Sequence, residues 1–386
     1  MIDTSKTIGR PETYDQGKIR RLLSEGTITN VTNLEKAILS LEYLGQLHKE
    51  GLDILFRGGS AIQILLTDRW TRLSIDIDIC TDATEEELQS VIERIHRNFD
   101  KKAFSYRPRR RELDGHIPFY LYRIETPAIT DRSRTILLDA MGTKPKMAAQ
   151  QTRLKTFFFD STAEVATPTT GSLLGDKLST IGPTTIGRPL KDSRNGLEYA
   201  KHFYDINRLQ ETSFSLKECS SAFHEAINIQ LKVRNKEYTL DRCFNDMLFT
   251  CQVASLPQRN GGEAMKQLPL TQIGKATSEL RMLQDGLRRF RPFLVQNLTY
   301  VWDDVRYNAA RTALLIKMIN SGTTEATARR SLNASIPSKR EEIMDLAKQI
   351  ERLPKQNRWF ILPSEIVNFP KLLKTWYDYF TLSKLI

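Results

Sequence analysis

Cysteine and histidine are both scarce in this chain. The four cysteines, at positions 80, 219, 243 and 251, include no C-x-x-C pair, which argues against a zinc site and against a disulfide framework. The five histidines are scattered and no H-E-x-x-H occurs, so the metalloprotease pattern is missing. No apolar run approaches the roughly 20 residues needed to span a bilayer. The opening Met1-Ile2-Asp3-Thr4-Ser5-Lys6 lacks the apolar core of a signal peptide. A cytoplasmic protein with no membrane partner is expected. No internal repeat is evident. Acid is in deficit: 46 Asp and Glu against 57 Lys and Arg leave a formal net charge of +11, which favours an anionic partner, nucleic acid or nucleotide ahead of membrane. A basic protein with no polyanion partner would share that composition.

What is present is enough for a sizeable core, since 40% of the 386 residues are apolar. The first part alternates short apolar strands with helical patterns. Leu34, Ile38, Leu41, Leu44 and Leu47 recur at helical spacing between Asn33 and Glu50. Short strands are expected at Asp53–Phe56, Leu73–Cys80, Thr135–Met141 and Phe157–Phe159. Thr84-Glu85-Glu86-Glu87 is a capping-box sequence opening a helix that runs to about Phe99. After Pro168 the pattern turns helical, with helices expected over Thr170–Ile181, Asn195–Gln210, Ser215–Val233, Leu240–Val253, Ser278–Phe290, Tyr300–Ile319, Lys339–Leu353 and Ser364–Tyr377. The expected class is α+β: a mixed sheet with flanking helices over 1–165, then an α-helical domain over 166–386.

One stretch carries chemistry. Gly58-Gly59-Ser60 turns into a short helix, and Ser74-Ile75-Asp76-Ile77-Asp78-Ile79 follows. Side chains alternate along a strand, so Asp76 and Asp78 share one face. Two adjacent carboxylates repel unless a cation or proton joins them. Magnesium takes oxygen ligands, commonly one or two carboxylates, and leaves the rest to phosphate and water. Backbone N–H groups at a helix start bind phosphate, and Ser60 adds a hydroxyl. Asp139, inside Ile136-Leu137-Leu138-Asp139-Ala140, is costly to bury without a partner and is the candidate third carboxylate. Taken alone, the acid pair also fits a solvated sheet face. Arg72, just before the acids, suits either a phosphate contact or an ordinary strand entry. Lys101 to Arg111, with interleaved aromatics, suits RNA phosphates and base stacking, or a solvated face.

With Arg57-Gly58-Gly59-Ser60-Ala61 followed by Arg72-Leu73-Ser74-Ile75-Asp76-Ile77-Asp78, the chain resembles the nucleotidyltransferase toxins of the AbiEii/AbiGii type, within the polymerase-beta-like nucleotidyltransferase superfamily. The 15 residues between Ser60 and Asp76 are at the long end for that pattern. Leu174-Gly175-Asp176-Lys177-Leu178 matches the family's helical lysine, and Lys201-His202-Phe203-Tyr204-Asp205-Ile206 its basic-x-x-x-Asp helix. The resemblance covers about residues 50–210. It implies metal-dependent transfer of a nucleotide from an NTP to an acceptor hydroxyl, with Asp76, Asp78 and Asp139 on Mg2+ (or Mn2+). It assigns Gly59, Ser60, Arg72 and Lys201 to the nucleotide, Lys177 to charge balance, and Asp205 to organising the site. Lys201 and Asp205, four apart, also suit a mutual ion pair on one helix face. Lys191 and Arg194, in the loop that links the two motif helices, suit a place near the site or a basic surface loop, and His202 fits a packed helix position rather than a ligand or base. The family further implies an RNA acceptor, most specifically a tRNA 3′ end, with blocked translation as the outcome and an antitoxin or paired defence protein as partner. A protein or small-molecule acceptor, and a non-catalytic nucleotide- or RNA-binding protein, are the alternatives.

Overall fold

A computed structural model describes residues 2–67, 72–98, 105–108, 116–190, 193–258, 261–296 and 298–386. The fold is α+β, a small mixed sheet with flanking helices and a run of C-terminal helices. It divides into two compact units, the first being Met1–Leu173, His224–Lys236 and Arg291–Thr299, the second the remainder.

In chain order the first unit holds α1 (Gln16–Ser24), α2 (Val31–Lys49), β1 (Leu55–Arg57), α3 (Gly58–Leu65), β2 (Asp76–Cys80), α4 (Glu85–Asn98), β3 (Ser105–Pro108), β4 (Phe119–Thr126), β5 (Arg134–Met141), β6 (Ala149–Lys155) and β7 (Asp160–Pro168). Strands β1 to β5 form one sheet in the order β1-β2-β5-β4-β3, in which only β2 and β5 run parallel. One face is apolar: Ile77, Ile79, Tyr122, Ile124, Ile136, Leu138 and Ala140 are all buried. Helix α2 packs on β2 and β5 and against α4 and β7, and it is buried on all sides from Ala37 to Leu47, with Leu34, Ile38, Leu41 and Leu44 among its core residues. Each such side chain stabilises by about 1.5–3 kcal/mol when fully buried. The capping box at Thr84 is formed as expected: Glu87 N–H donates to Thr84 Oγ1 at 3.2 Å and Thr84 N–H to Glu87 Oε2 at 2.8 Å.

The other face carries the acids. One end of it is sealed by an apolar cluster of Leu55, Cys80, Met141, Ile229 and Val233, with Phe119 and Met147 packed on it. Ile229 and Val233 come from α7 (Leu216–Val233), which explains why His224–Lys236 belongs with this sheet.

Several elements differ from expectation. Strand β2 begins at Asp76 rather than Leu73, because Arg72 bridges Leu294 and Leu73 N–H donates to Phe293 O at 2.7 Å. The residues Phe157–Phe159 are not a strand but the turn of the β6–β7 hairpin, where Thr156 Oγ1 accepts the N–H groups of Phe158 and Phe159.

The second unit contains the end of α5 (Thr170–Leu178), then α6 (Ser193–Gln210), the first half of α7, α8 (Leu240–Ala254), α9 (Gly261–Met265), α10 (Leu270–Arg288), α11 (Trp302–Asn320), α12 (Glu325–Leu332), α13 (Arg340–Glu351), α14 (Lys355–Arg358), α15 (Pro363–Ile366) and α16 (Pro370–Leu382). Helix α11 is buried along nearly its whole length and packs on α6, α8 and α16. The pattern over Ser364–Tyr377 is two helices, because Pro370 opens α16 and cannot continue α15. Helix α10 starts at Leu270, eight residues before the expected Ser278. Among the described residues no helix is long and apolar enough to cross a membrane.

Candidate active site

The register of the sheet sets the acid face. Along β2 the burial alternates, with Asp76 and Asp78 partly exposed and Ile77 and Ile79 buried. Strand β5 brings Asp139 beside Asp78, since the parallel pairing places Asp78 opposite Asp139 and Asp76 opposite Leu137. In-register neighbours project to the same side, so the three carboxylates share one face. Arg57 pairs with Asp78 from the other neighbouring strand and therefore joins this row. Its guanidinium also reaches Cys80 Sγ at 3.7 Å. Nothing in the sequence pattern singled out Arg57, although its place directly before the glycine turn is the signal that would have.

The glycine turn is held against the acids by contacts only glycine allows. Gly58 has φ +76°, and a Cβ built on it would stand 2.0 Å from Asp78 Oδ2. A side chain there is excluded twice, by the left-handed backbone and by the carboxylate. A Cβ on Gly59 would meet the Arg72 guanidinium at 2.4 Å and Ser74 Oγ at 2.7 Å. Arg72 is thus a buried cation lying against the first turn of α3, and it also donates to Leu73 O at 3.1 Å. Ser60 is buried, and its hydroxyl donates to the carbonyl of Asp76 at 2.6 Å. Helix α3 is therefore pinned to the first acid of β2. Gln63 repeats the tie one turn on, accepting from Ser74 N–H at 2.9 Å.

The donor set fits a hard divalent ion. Its three members are all carboxylates, share one face and are partly exposed, while the sulfurs of Cys80 and Met141, next along the same face, are buried in the apolar cluster. Among the described residues no group of three or more His, Cys, Asp or Glu side chains is gathered to hold a metal ion.

The second unit holds the other two family motifs. Lys177 Nζ lies 3.2 Å from Asp205 Oδ2, joining α5 to α6, with both side chains buried. Lys177 is not a solvated helix lysine. Lys201, one turn before Asp205, places Nζ 2.9 Å from Glu198 Oε1. Burial pushes the Glu198 carboxyl up, but Lys201 and His202 outweigh it and hold the group down at about 2. His202, packed edge-on to Tyr199, is driven down to about 3 by burial and then by Lys177, against the pull of Glu198 and Asp205. It is therefore neutral, and its Nδ1 is buried with no hydrogen-bond partner among the described residues. Arg194 is exposed in the first turn of α6, and Lys191 lies outside the described residues.

In the basic and aromatic stretch around β3, the described contacts are those of Tyr106. Tyr106 packs edge-on to His96 and to Tyr122, which is buried, so both tyrosines serve the helix-covered face of the sheet. Lys101, Lys102, Phe104 and Arg109 to Arg111 lie outside the described residues.

The sequence matches the family model for the nucleotidyl transferase AbiEii toxin of type IV toxin–antitoxin systems over residues 43–298. Among solved structures, MenT4, a nucleotidyltransferase toxin from Mycobacterium tuberculosis H37Rv, is similar at 10% identity and a TM-score of 0.44, over 81% of this chain and 99% of that one. JHP933 from Helicobacter pylori is similar at 11% identity and a TM-score of 0.38, over 78% of this chain and 95% of that one. No curated protein matches.

Proposed function

The chain belongs to the AbiEii family of nucleotidyltransferase toxins, and from that premise we propose that it transfers a nucleotide from an NTP to an RNA acceptor, the tRNA 3′ end foremost, and so blocks translation. The observation that carries the reading is the register pairing of Asp78 with Asp139 beside Gly58. Three carboxylates on one sheet face have little structural use, whereas a divalent-ion site completed by triphosphate oxygens uses one or two and an acceptor hydroxyl beside it uses another as base. Bound there, Mg2+ would neutralise charge developing on the transferring phosphoryl group.

The chain's own residues divide the remaining work. Asp76 and Asp78 would hold the ion, and Asp139 orients the acceptor hydroxyl and takes its proton. The oxygen attacks the α-phosphorus, the bond to the β,γ-phosphates breaks, and pyrophosphate leaves with the electron pair. The N–H groups of the Gly59-Ser60 turn bind triphosphate oxygens, with Arg72 behind the turn adding positive potential. Ser60 contributes chiefly by fixing that turn to Asp76. Lys177, matched to the family's helical lysine, balances charge on the leaving group, and Asp205 holds it in place. Lys201 is assigned to the nucleotide on the same family basis. A cognate antitoxin or paired defence protein is the expected partner, and the formal charge of +11 supports a nucleic-acid substrate.

The test is incubation of the protein with Mg2+, each labelled NTP in turn and total cellular RNA. Label entering tRNA-sized RNA with the native chain, and none with Asp76→Ala, is the expected result. Label found only on protein or a small molecule would move the acceptor to another class. No transfer to any acceptor would overturn the reading.

A further inference from the structure

The acid face carries a further charged side chain on β4, one strand from Asp139 and two from Asp76 and Asp78. Strand β4 pairs with β5 so that Arg123 lies opposite Leu137, and Leu137 in turn lies opposite Asp76. Asp76, Leu137 and Arg123 thus form one row across β2, β5 and β4. Two inter-strand steps separate its ends, about 10 Å. Burial along β4 confirms the facing: Tyr122, Ile124 and Thr126 are buried while Arg123 is exposed. No hydrogen bond or ion pair engages its guanidinium among the described residues. Glu125, the next acid on that face, is engaged by Thr135 Oγ1 at 2.7 Å. Leu137, between the two charges, is partly exposed.

The two sides of the acid group differ. The glycine turn follows β1, on one side of β2, and Arg123 lies on the other, beyond β5. In-line displacement needs the attacking oxygen and the leaving group on opposite sides of the phosphorus. If the triphosphate is held from the β1 side, the acceptor enters from the β4 side.

We propose that Arg123 is an acceptor-binding residue, which holds a backbone phosphate of a polynucleotide whose 3′-hydroxyl lies at the acids while Leu137 supports the terminal sugar or base. This rests on the reading of Asp76, Asp78 and Asp139 as the reaction centre. The 10 Å row spans about three nucleotides of a stacked strand at 3.4 Å each, so the contacted phosphate belongs to the reacting end. A guanidinium is suited to it, since its planar fork matches phosphate oxygens.

The experiment has two arms. In the transfer assay with total RNA, Arg123→Ala should raise the acceptor KM about tenfold while KM for the NTP and kcat stay within about twofold, and Arg123→Lys should recover most of the loss. In the binding arm, a single-stranded RNA with a free 3′-hydroxyl is titrated against the Asp76→Ala protein with and without Arg123→Ala. Affinity should again fall about tenfold, and the slope of log K against log salt should shrink by about 0.7. An unchanged acceptor KM with unchanged RNA affinity overturns the proposal, as does a rise in the NTP KM instead. If the native protein transfers to no RNA, the functional reading fails. The binding arm still decides for or against Arg123: a tenfold loss supports the contact, and unaltered or undetectable RNA binding removes it.

Discussion

Replacing Gly58 with alanine probes the acid site through its backbone. At φ +76° an added Cβ would lie 2.0 Å from Asp78 Oδ2, 2.7 Å from its Cγ and 2.8 Å from its Cβ. The left-handed conformation costs an L-residue about 1–2 kcal/mol. Forcing Asp78 off its rotamer adds about 0.5–1.5 kcal/mol. Together these should appear in urea unfolding as a loss of about 2–3 kcal/mol. A double-mutant cycle separates the two contributions. Asp78→Gly removes all three clashing atoms, so in that background Gly58→Ala should cost only the backbone share, about 1–2 kcal/mol. Transfer should suffer more than stability, because a reacting group misplaced by about 1 Å can cost on the order of 10²-fold. Rates measured well below the unfolding midpoint should therefore fall by about that factor. Native stability and rate for Gly58→Ala, or an identical cost with and without the Asp78 side chain, would refute the reasoning.

Other outcomes follow from the second unit and from burial. Lys177→Met or Asp205→Leu alone breaks a buried ion pair and should destabilise by about 3–5 kcal/mol, while the double variant should recover much of that in the same unfolding assay. His202 is held at about 3 in the folded protein, below its ordinary 6.5, by burial and by Lys177. Its contribution to stability is therefore complete above pH 6.5 and is lost as pH falls toward 3, because only the unfolded state takes up the proton. His202→Gln should flatten stability across that window. The four cysteines are buried, with Cys219 and Cys251 pushed well up by burial, so none should react with a thiol reagent until the protein unfolds.

How much of this could be seen in the residues depends on the kind of signal. The acid strand was legible because alternation is local: Ile77 and Ile79 between Asp76 and Asp78 declare which side is buried. Asp139 was legible because an acid in an apolar run needs a reason. The Thr84 capping box names its own partners. The β6–β7 hairpin was hidden, because Ala149-Gln150-Gln151-Thr152-Arg153 is exposed and polar, while the apolar Phe158 and Phe159 fill the core from the turn. The pairing of Asp205 with Lys177 was also hidden. Spacing along one helix offered Lys201, while Lys177, 3.2 Å from Asp205, comes from a different helix. Only the apolar neighbours of Lys177, Leu173, Leu174 and Leu178, hinted that its charge would be buried and need a mate. Arg123 follows the same alternation as the acids, in Tyr122-Arg123-Ile124-Glu125, but its distance from Asp76 is a matter of strand order, which no local pattern reveals.

The central claim is that the Asp76, Asp78 and Asp139 face supports nucleotidyl rather than phosphoryl transfer. The direct measurement compares NTP labelled at the α-phosphate with NTP labelled at the γ-phosphate, in Mg2+ with total RNA, for the native protein and for Asp78→Ala and Asp139→Ala. The account predicts α-label retained on the acceptor, γ-label released as pyrophosphate, and both lost in either variant or on chelation of the metal. Transfer of γ-label to the acceptor, or α-label transfer that persists without Asp78 and Asp139, would contradict it.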